Sequence, residues 1–259
     1  MIYFHGNAED AGMCYNLSEF IADELDCNLL IVEYPEYGVF THQKKDENAI
    51  YKNTITVYDY FTQQLKFDPE MITLVGRSLG TGPCLYLANQ RRVGLVVLIS
   101  PYLSIEDIAV DHASIFGRFV PKMFPNKDLI KNIEFPVYIV HGEQDALIKC
   151  NHSRELYRLC PSKHKKFNCS KTMTHHRFNI QSDLLNPLHD FIDQIQFDTR
   201  VFLKSPQTLV NSRDEIDLIY AGYQKGYEIP RLFILDELQK KTKEEQAKSR
   251  SSSFWSFLG

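Results

Sequence analysis

The stretch Met71-Ile72-Thr73-Leu74-Val75 runs straight into Gly76-Arg77-Ser78-Leu79-Gly80, and a helix-compatible segment follows. A Gly-x-Ser-x-Gly at such a junction reads as a nucleophile elbow, a strained strand-to-helix turn that presents the serine hydroxyl. The glycines let neighbouring backbone approach closely. A helix N-terminus behind Ser78 favours a developing oxyanion. The five letters alone arise by chance in about one chain in ten of this length. The strand before them and the partners after them must therefore carry the argument.

The rest of the chain repeats this strand-then-helix alternation. Met1 to Phe4 is a short apolar strand running into His5-Gly6-Asn7. Residues 12–26 place Met13, Leu17, Phe20, Ile21 and Leu25 on one helical face. Asn28 to Tyr34, Val93 to Ser100 and Pro136 to Gly142 read as buried strands. Glu47 to Leu65, Ser153 to Cys160 and Ser182 to Phe197 read as helices, and Lys165 to Ser170 as the last strand. Residues 101–133 have a mixed pattern, either a lid or an irregular connection. The expected fold is an α/β, mostly parallel sheet with helices on both faces. The alternation stops near Thr199. This predicts a domain over 1–197 and an extension over 198–259, largely irregular and disordered at its charged, serine-rich end. The apolar tag 254–258 is expected to pack loosely or touch a partner.

Composition narrows the function classes. With 44% hydrophobic and 12% aromatic residues, the 259-residue chain is globular. A net charge of -4 gives no reason to expect nucleic acid. The six cysteines are scattered without a Cys-x-x-Cys pair, which argues against zinc and dithiol-redox motifs; several read as small buried hydrophobes. No metal and no cofactor is expected. There is no run of eighteen apolar residues and no basic-then-apolar leader, so the expected location is cytoplasmic.

Ser78 needs a base and an orienting acid, and in an open parallel sheet such groups collect at the carboxyl ends of strands. Asp145 follows the strand ending His141-Gly142. His175 and His176 follow the last strand, and placement prefers His175. Amides of Leu79, next to the serine, and of Asn7, in the loop after the first strand, would form the oxyanion hole. His5 suits a bracing role, and the run Lys163-His164-Lys165-Lys166 reads as a solvated basic face.

Taken together, His5-Gly6-Asn7-Ala8, Tyr34-Pro35-Glu36-Tyr37-Gly38, Gly76 to Pro83, Ser100-Pro101, Phe124-Pro125-Asn126, Pro136 to Asp145 and Met173-Thr174-His175 resemble the α/β-hydrolase superfamily. Within it the likeness is to the alpha/beta hydrolase domain-containing protein 17 group and to serine aminopeptidase-like hydrolases. That group consists of depalmitoylases, serine hydrolases acting on palmitoylated protein cysteines. The resemblance implies a catalytic triad of Ser78, Asp145 and His175. It also implies an acylated protein as substrate, with possible peripheral contact at the cytoplasmic face of membranes. Four departures stand out. Strands that precede the His-Gly-Asn strand in the group are missing, which predicts an open sheet edge at Leu29 to Glu33. The group's N-terminal cysteine cluster is absent. Glu36 replaces its usual glycine, and the extension beyond residue 198 has no counterpart. The alternatives are a small-molecule carboxylesterase or lipase, and a truncated, non-catalytic hydrolase fold used for binding.

Overall fold

The computed structural model describes residues 1–113 and 120–195. The expected extension over 198–259, its disordered end and the tag at 254–258 lie outside the described residues, as do 114–119 in the mixed-pattern connection.

Among the described residues six parallel strands form one sheet in the order β2-β1-β3-β4-β5-β6. They are β1 (Ile2–Phe4), β2 (Leu30–Val32), β3 (Thr73–Arg77), β4 (Leu95–Ile99), β5 (Val137–Gly142) and β6 (Lys165–Ser170). Strands β3, β4 and β5 are buried at every residue. That is why they read as continuous apolar runs rather than alternating ones: both faces are covered. β6 is half-buried throughout and closes one edge. Among the described residues β2 pairs only with β1, so it forms the other edge, where the sequence placed it.

The covering helices are α1 (Tyr15–Glu24), α2 (Glu47–Asp59), α3 (Thr81–Gln90), α4 (Ile105–Ala113), α5 (Asn126–Leu129), α6 (Asn151–Leu159) and α7 (Asn186–Gln194). On one face Tyr3, Val75, Val97, Tyr138 and Val140 meet Ile21 of α1 and Leu188, Phe191 and Ile192 of α7. The period of two along each strand sends these side chains to the same side. α3 packs against β3 and β4 with α2 and α5 beside it. Each fully buried Leu, Ile or Phe contributes about 1.5–3 kcal/mol. An exposed ion pair such as Arg92–Glu70 contributes ~0–1 kcal/mol, so burial dominates the stability of this fold.

Two long helices expected from periodicity are each split. The first is α-helical to Asp59 and then makes a π turn over Tyr60–Gln64. The last begins as a π segment, Ile180–Leu185, ahead of α7. Pro187 in the first turn of α7 has no amide hydrogen to donate to the turn before it. The mixed region after β4 carries α4 and α5.

Glu36 adopts φ +63°, the left-handed region that disfavours a side chain. This accounts for a glycine at this place in the group the chain resembles. Replacing Glu36 with glycine is expected to stabilise the protein by about 0.5–1 kcal/mol, read as a higher midpoint in chemical denaturation.

Candidate active site

β1 lies between β2 and β3, so the chain leaves it toward one edge and later returns on its other side. Such a topological switch opens a crevice at the carboxyl ends of the two strands where the direction reverses. The loop His5-Gly6-Asn7 leaves β1, and Ser78 leaves β3. Both line a cavity of about 170 Å³, together with Met13, Arg77, His175 and His176.

Ser78 opens a single 3-10 turn, Ser78–Gly80, that passes directly into α3. Its φ is +49°, the strained geometry expected of an elbow. The turn sits so close to β1 that a Cβ on Gly80 would stand 2.0 Å from the Phe4 carbonyl oxygen. Only glycine permits that approach, and it brings the end of β1 next to the serine.

Ser78 Oγ lies 3.1 Å from His175 Nε2, and His175 Nδ1 lies 2.8 Å from Asp145 Oδ2. All three side chains are buried. The second carboxylate oxygen of Asp145 accepts from the amides of Leu147 (3.0 Å) and Ile148 (2.8 Å). Burial pushes the Asp145 pKa up, but hydrogen bonds from His141, His175 and the Ile148 amide outweigh it. The carboxyl is held well below the usual carboxylate range. The loop carrying Asp145 is pressed against the histidine loop: a Cβ on Gly142 would stand 1.9 Å from the Met173 carbonyl oxygen.

His176 is exposed, and its ring meets that of His175 edge-on at 5.0 Å. Burial and the neighbouring His175 lower its pKa. Asn7 lines the cavity, and its side-chain oxygen accepts from the Tyr37 hydroxyl, which fixes the loop. Leu79 does not line the cavity; its side chain is buried and its carbonyl accepts from Tyr102. His5 is buried and does not line the cavity; it lies 2.9 Å from Glu33 Oε1 with its ring tilted against that of Tyr34, a bracing position. Ser100 is buried and does not line the cavity.

Sequence reasoning missed four supporting residues, Arg77, Glu9, His141 and Ser153. Arg77 is nearly buried. It donates to the His175 carbonyl (2.9 Å) and pairs with Glu9, which in turn accepts from the Gly6 amide (2.8 Å). One guanidinium thus ties the loop after β1 to the loop after β6. Nothing local in the sequence signals a partner 68 residues away. His141, wholly buried, lies 3.2 Å from Asp145 Oδ2 and 2.8 Å from the Ile148 carbonyl. Its Nδ1 is 2.7 Å from Ser153 Oγ. With Nε2 carrying the proton, the tautomer this pattern assigns, His141 donates toward both oxygens and Ser153 donates to Nδ1.

The basic run lines a larger cavity of about 610 Å³ that includes none of the triad. Lys165 there donates to the carbonyls of Tyr157 (2.9 Å) and Cys160 (2.5 Å), so it finishes α6 rather than waiting for a ligand. Ser78, His175, His176, Arg77 and Glu9 converge instead on the smaller cavity. Among the described residues no three His, Cys, Asp or Glu side chains are placed to hold a metal ion.

The acetyl xylan esterase of Paenibacillus sp. R4 superposes with a TM-score of 0.55 at 16% identity, covering 74% of this chain and 73% of that one. The chain has the α/β-hydrolase fold. No family model matches it. It resembles alpha/beta hydrolase domain-containing protein 17C of Mus musculus, 28% identical over 161 residues that cover 62% of this chain and 49% of that protein. A putative alpha/beta hydrolase of Acanthamoeba polyphaga mimivirus is 30% identical over 158 residues, 61% of this chain and 59% of that protein. The chain therefore spans about half the length of the curated relatives it matches.

Proposed function

We propose that this protein is a serine hydrolase that cleaves an acyl ester or thioester through an acyl-enzyme on Ser78. The observation that carries the reading is the continuous Ser78–His175–Asp145 hydrogen-bond chain beside an accessible cavity. Ser78 Oγ attacks the acyl carbon while His175 Nε2 takes its proton. Asp145 holds the imidazole with its proton on Nδ1 and stabilises the imidazolium. Amides of Asn7 and Leu79 receive the oxyanion. His175 returns the proton to the leaving group, and a water activated by the same imidazole frees the acyl product. No cofactor is required.

The favoured substrate is a long-chain acyl group on a protein cysteine, met at the cytoplasmic face of a membrane. The resemblance to protein 17C supports it, and so does the surface beside the cavity. Met13 lines the cavity yet is 55% exposed, and nearby in sequence Tyr15 is 59% exposed. Met13 offers an acyl chain an apolar surface at the edge of the cavity. No helix among the described residues is long and apolar enough to cross a membrane. A second reading, a small-molecule carboxylesterase or lipase, is favoured by size. The cavity of about 170 Å³ is smaller than the ~300–1,000 Å³ of ordinary ligand pockets.

Turnover of an S-palmitoyl peptide against a short p-nitrophenyl ester separates the two, and exclusive use of the short ester rejects depalmitoylation. A chain that fails to react with a fluorophosphonate probe would be a non-catalytic hydrolase fold instead. If the acyl chain runs over Met13, Met13→Asp raises KM for the palmitoyl substrate about tenfold and leaves KM for the acetyl ester within twofold. That is the worth of one lost apolar contact of roughly 1.5 kcal/mol.

A further inference from the structure

Away from the catalytic groups, two cysteines that lie 19 residues apart in sequence come together. Cys150 caps the start of α6, and Cys169 lies on β6 beside His141 of β5. Their sulfurs are 3.1 Å apart, closer than any other pair of thiols described. Both residues are partly exposed, whereas Cys14, Cys84 and Cys160 are buried. Arg154 Nη2 lies 3.6 Å and Glu143 Oε1 3.7 Å from Cys169 Sγ, and the two charged groups pair with each other at 3.8 Å. We propose that Cys150 and Cys169 form a modification site, a dithiol that low-molecular-weight disulfides such as oxidised glutathione convert reversibly to a protein disulfide.

The two thiols have unequal roles. Burial and the adjacent Cys169 push the Cys150 thiol up to about 12. Cys169, with the Arg154 guanidinium 3.6 Å from its sulfur, is the thiol that attacks first. Its thiolate displaces one glutathione thiolate from the oxidised dimer and leaves a mixed disulfide. Cys150 then gives its proton to solvent and attacks Cys169 Sγ, expelling the second glutathione. Two protein thiols are oxidised and one glutathione disulfide is reduced to two thiols, so electrons balance. In a compartment kept reducing, such a pair serves as a transient switch rather than a permanent staple.

The position gives the bond a consequence. The segment from Gly142 to Cys150 carries Asp145, and β6 leads at Ser170 into the loop that carries His175. A Cys150–Cys169 bond would fasten the exit of the acid loop to the entrance of the histidine loop. The expected effect is on resistance to unfolding, because the groups at Ser78 are already in place without it.

The test uses the full chain treated with oxidised glutathione and mapped as non-reduced peptides by mass spectrometry. The expected product joins the peptides of Cys150 and Cys169 and disappears with dithiothreitol. Cys150→Ser is expected to stop at one stable glutathione on Cys169. The oxidised unsubstituted chain should melt about 5–10 °C above its reduced form, while Cys169→Ser melts alike in both conditions. Persistence of the mixed disulfide in the unsubstituted chain overturns the proposal, as does a cross-link through any other cysteine or an unreacted pair. None of these results depends on whether Ser78 is a nucleophile.

Discussion

Replacing Ser78 with alanine abolishes fluorophosphonate labelling and lowers kcat for ester turnover by at least about 10⁴-fold. The Oγ of Ser78 sits 3.1 Å from His175 Nε2 and opens onto the cavity, so removing it deletes the only bond-forming atom the proposed mechanism uses. The remaining His175–Asp145 pair cannot substitute, because residues of a triad act as a unit. Alanine meets the same positive φ as serine, and the thermal midpoint should move by no more than a few degrees. Undiminished labelling of Ser78→Ala in a folded protein would reject the catalytic reading.

Asp145→Asn is expected to lower kcat by roughly 10⁴-fold while the fold survives. The carboxylate accepts from His175 Nδ1 at 2.8 Å, from two amides and from His141. An amide in its place offers N–H donors to a site where every neighbour is a donor. The imidazole is then driven to the tautomer with its proton on Nε2, facing Ser78 Oγ, where it cannot act as a base. The substitution also changes acid stability. The folded pKa of Asp145 is depressed, so its stabilisation is complete above the unfolded value near ~4 and is lost as pH falls through the folded value. The Asn variant should show a flatter stability profile on the acid side, measured by denaturant midpoints at stepped pH. An unchanged kcat with an unchanged profile would remove Asp145 from the site.

The two substitutions distinguish chemistry from scaffolding because the scaffold is separate. Gly80 and Gly142 let backbone meet backbone at β1 and at the Met173 turn, while Arg77, paired with Glu9 and donating to the His175 carbonyl, joins the loop after β1 to the loop after β6. Changes there are expected to move stability and geometry together, unlike changes at Ser78.

Much of this was legible from residue order. Continuous apolar runs identified β3, β4 and β5 because both faces of those strands are covered, and burial on both faces leaves no alternation to misread. Ser78, Asp145 and His175 stood out because each lies just past a strand end, and the fold brings the three side chains within hydrogen-bond reach. Less was legible where the determinants are distant. The π turns at Tyr60–Gln64 and Ile180–Leu185 keep the apolar spacing of a helix, so periodicity passes over them. Leu79 follows the serine, but whether it lines the cavity depends on the packing around the elbow.

By itself the amino-acid sequence determined the alternation of strands and helices, the glycine-flanked serine and the order serine, aspartate, histidine, because these are written in neighbouring residues. Only the tertiary structure decided that Arg77 reaches Glu9 and the His175 carbonyl, that His141 and Ser153 stand behind Asp145, and that Cys150 meets Cys169. The contacts of Arg77 join segments 68 and 98 residues apart, and even the nearer contacts of His141 and of Cys150 depend on how β5, α6 and β6 pack. The long-range partners of Arg77 are set by the order of strands in the sheet, which no local pattern encodes.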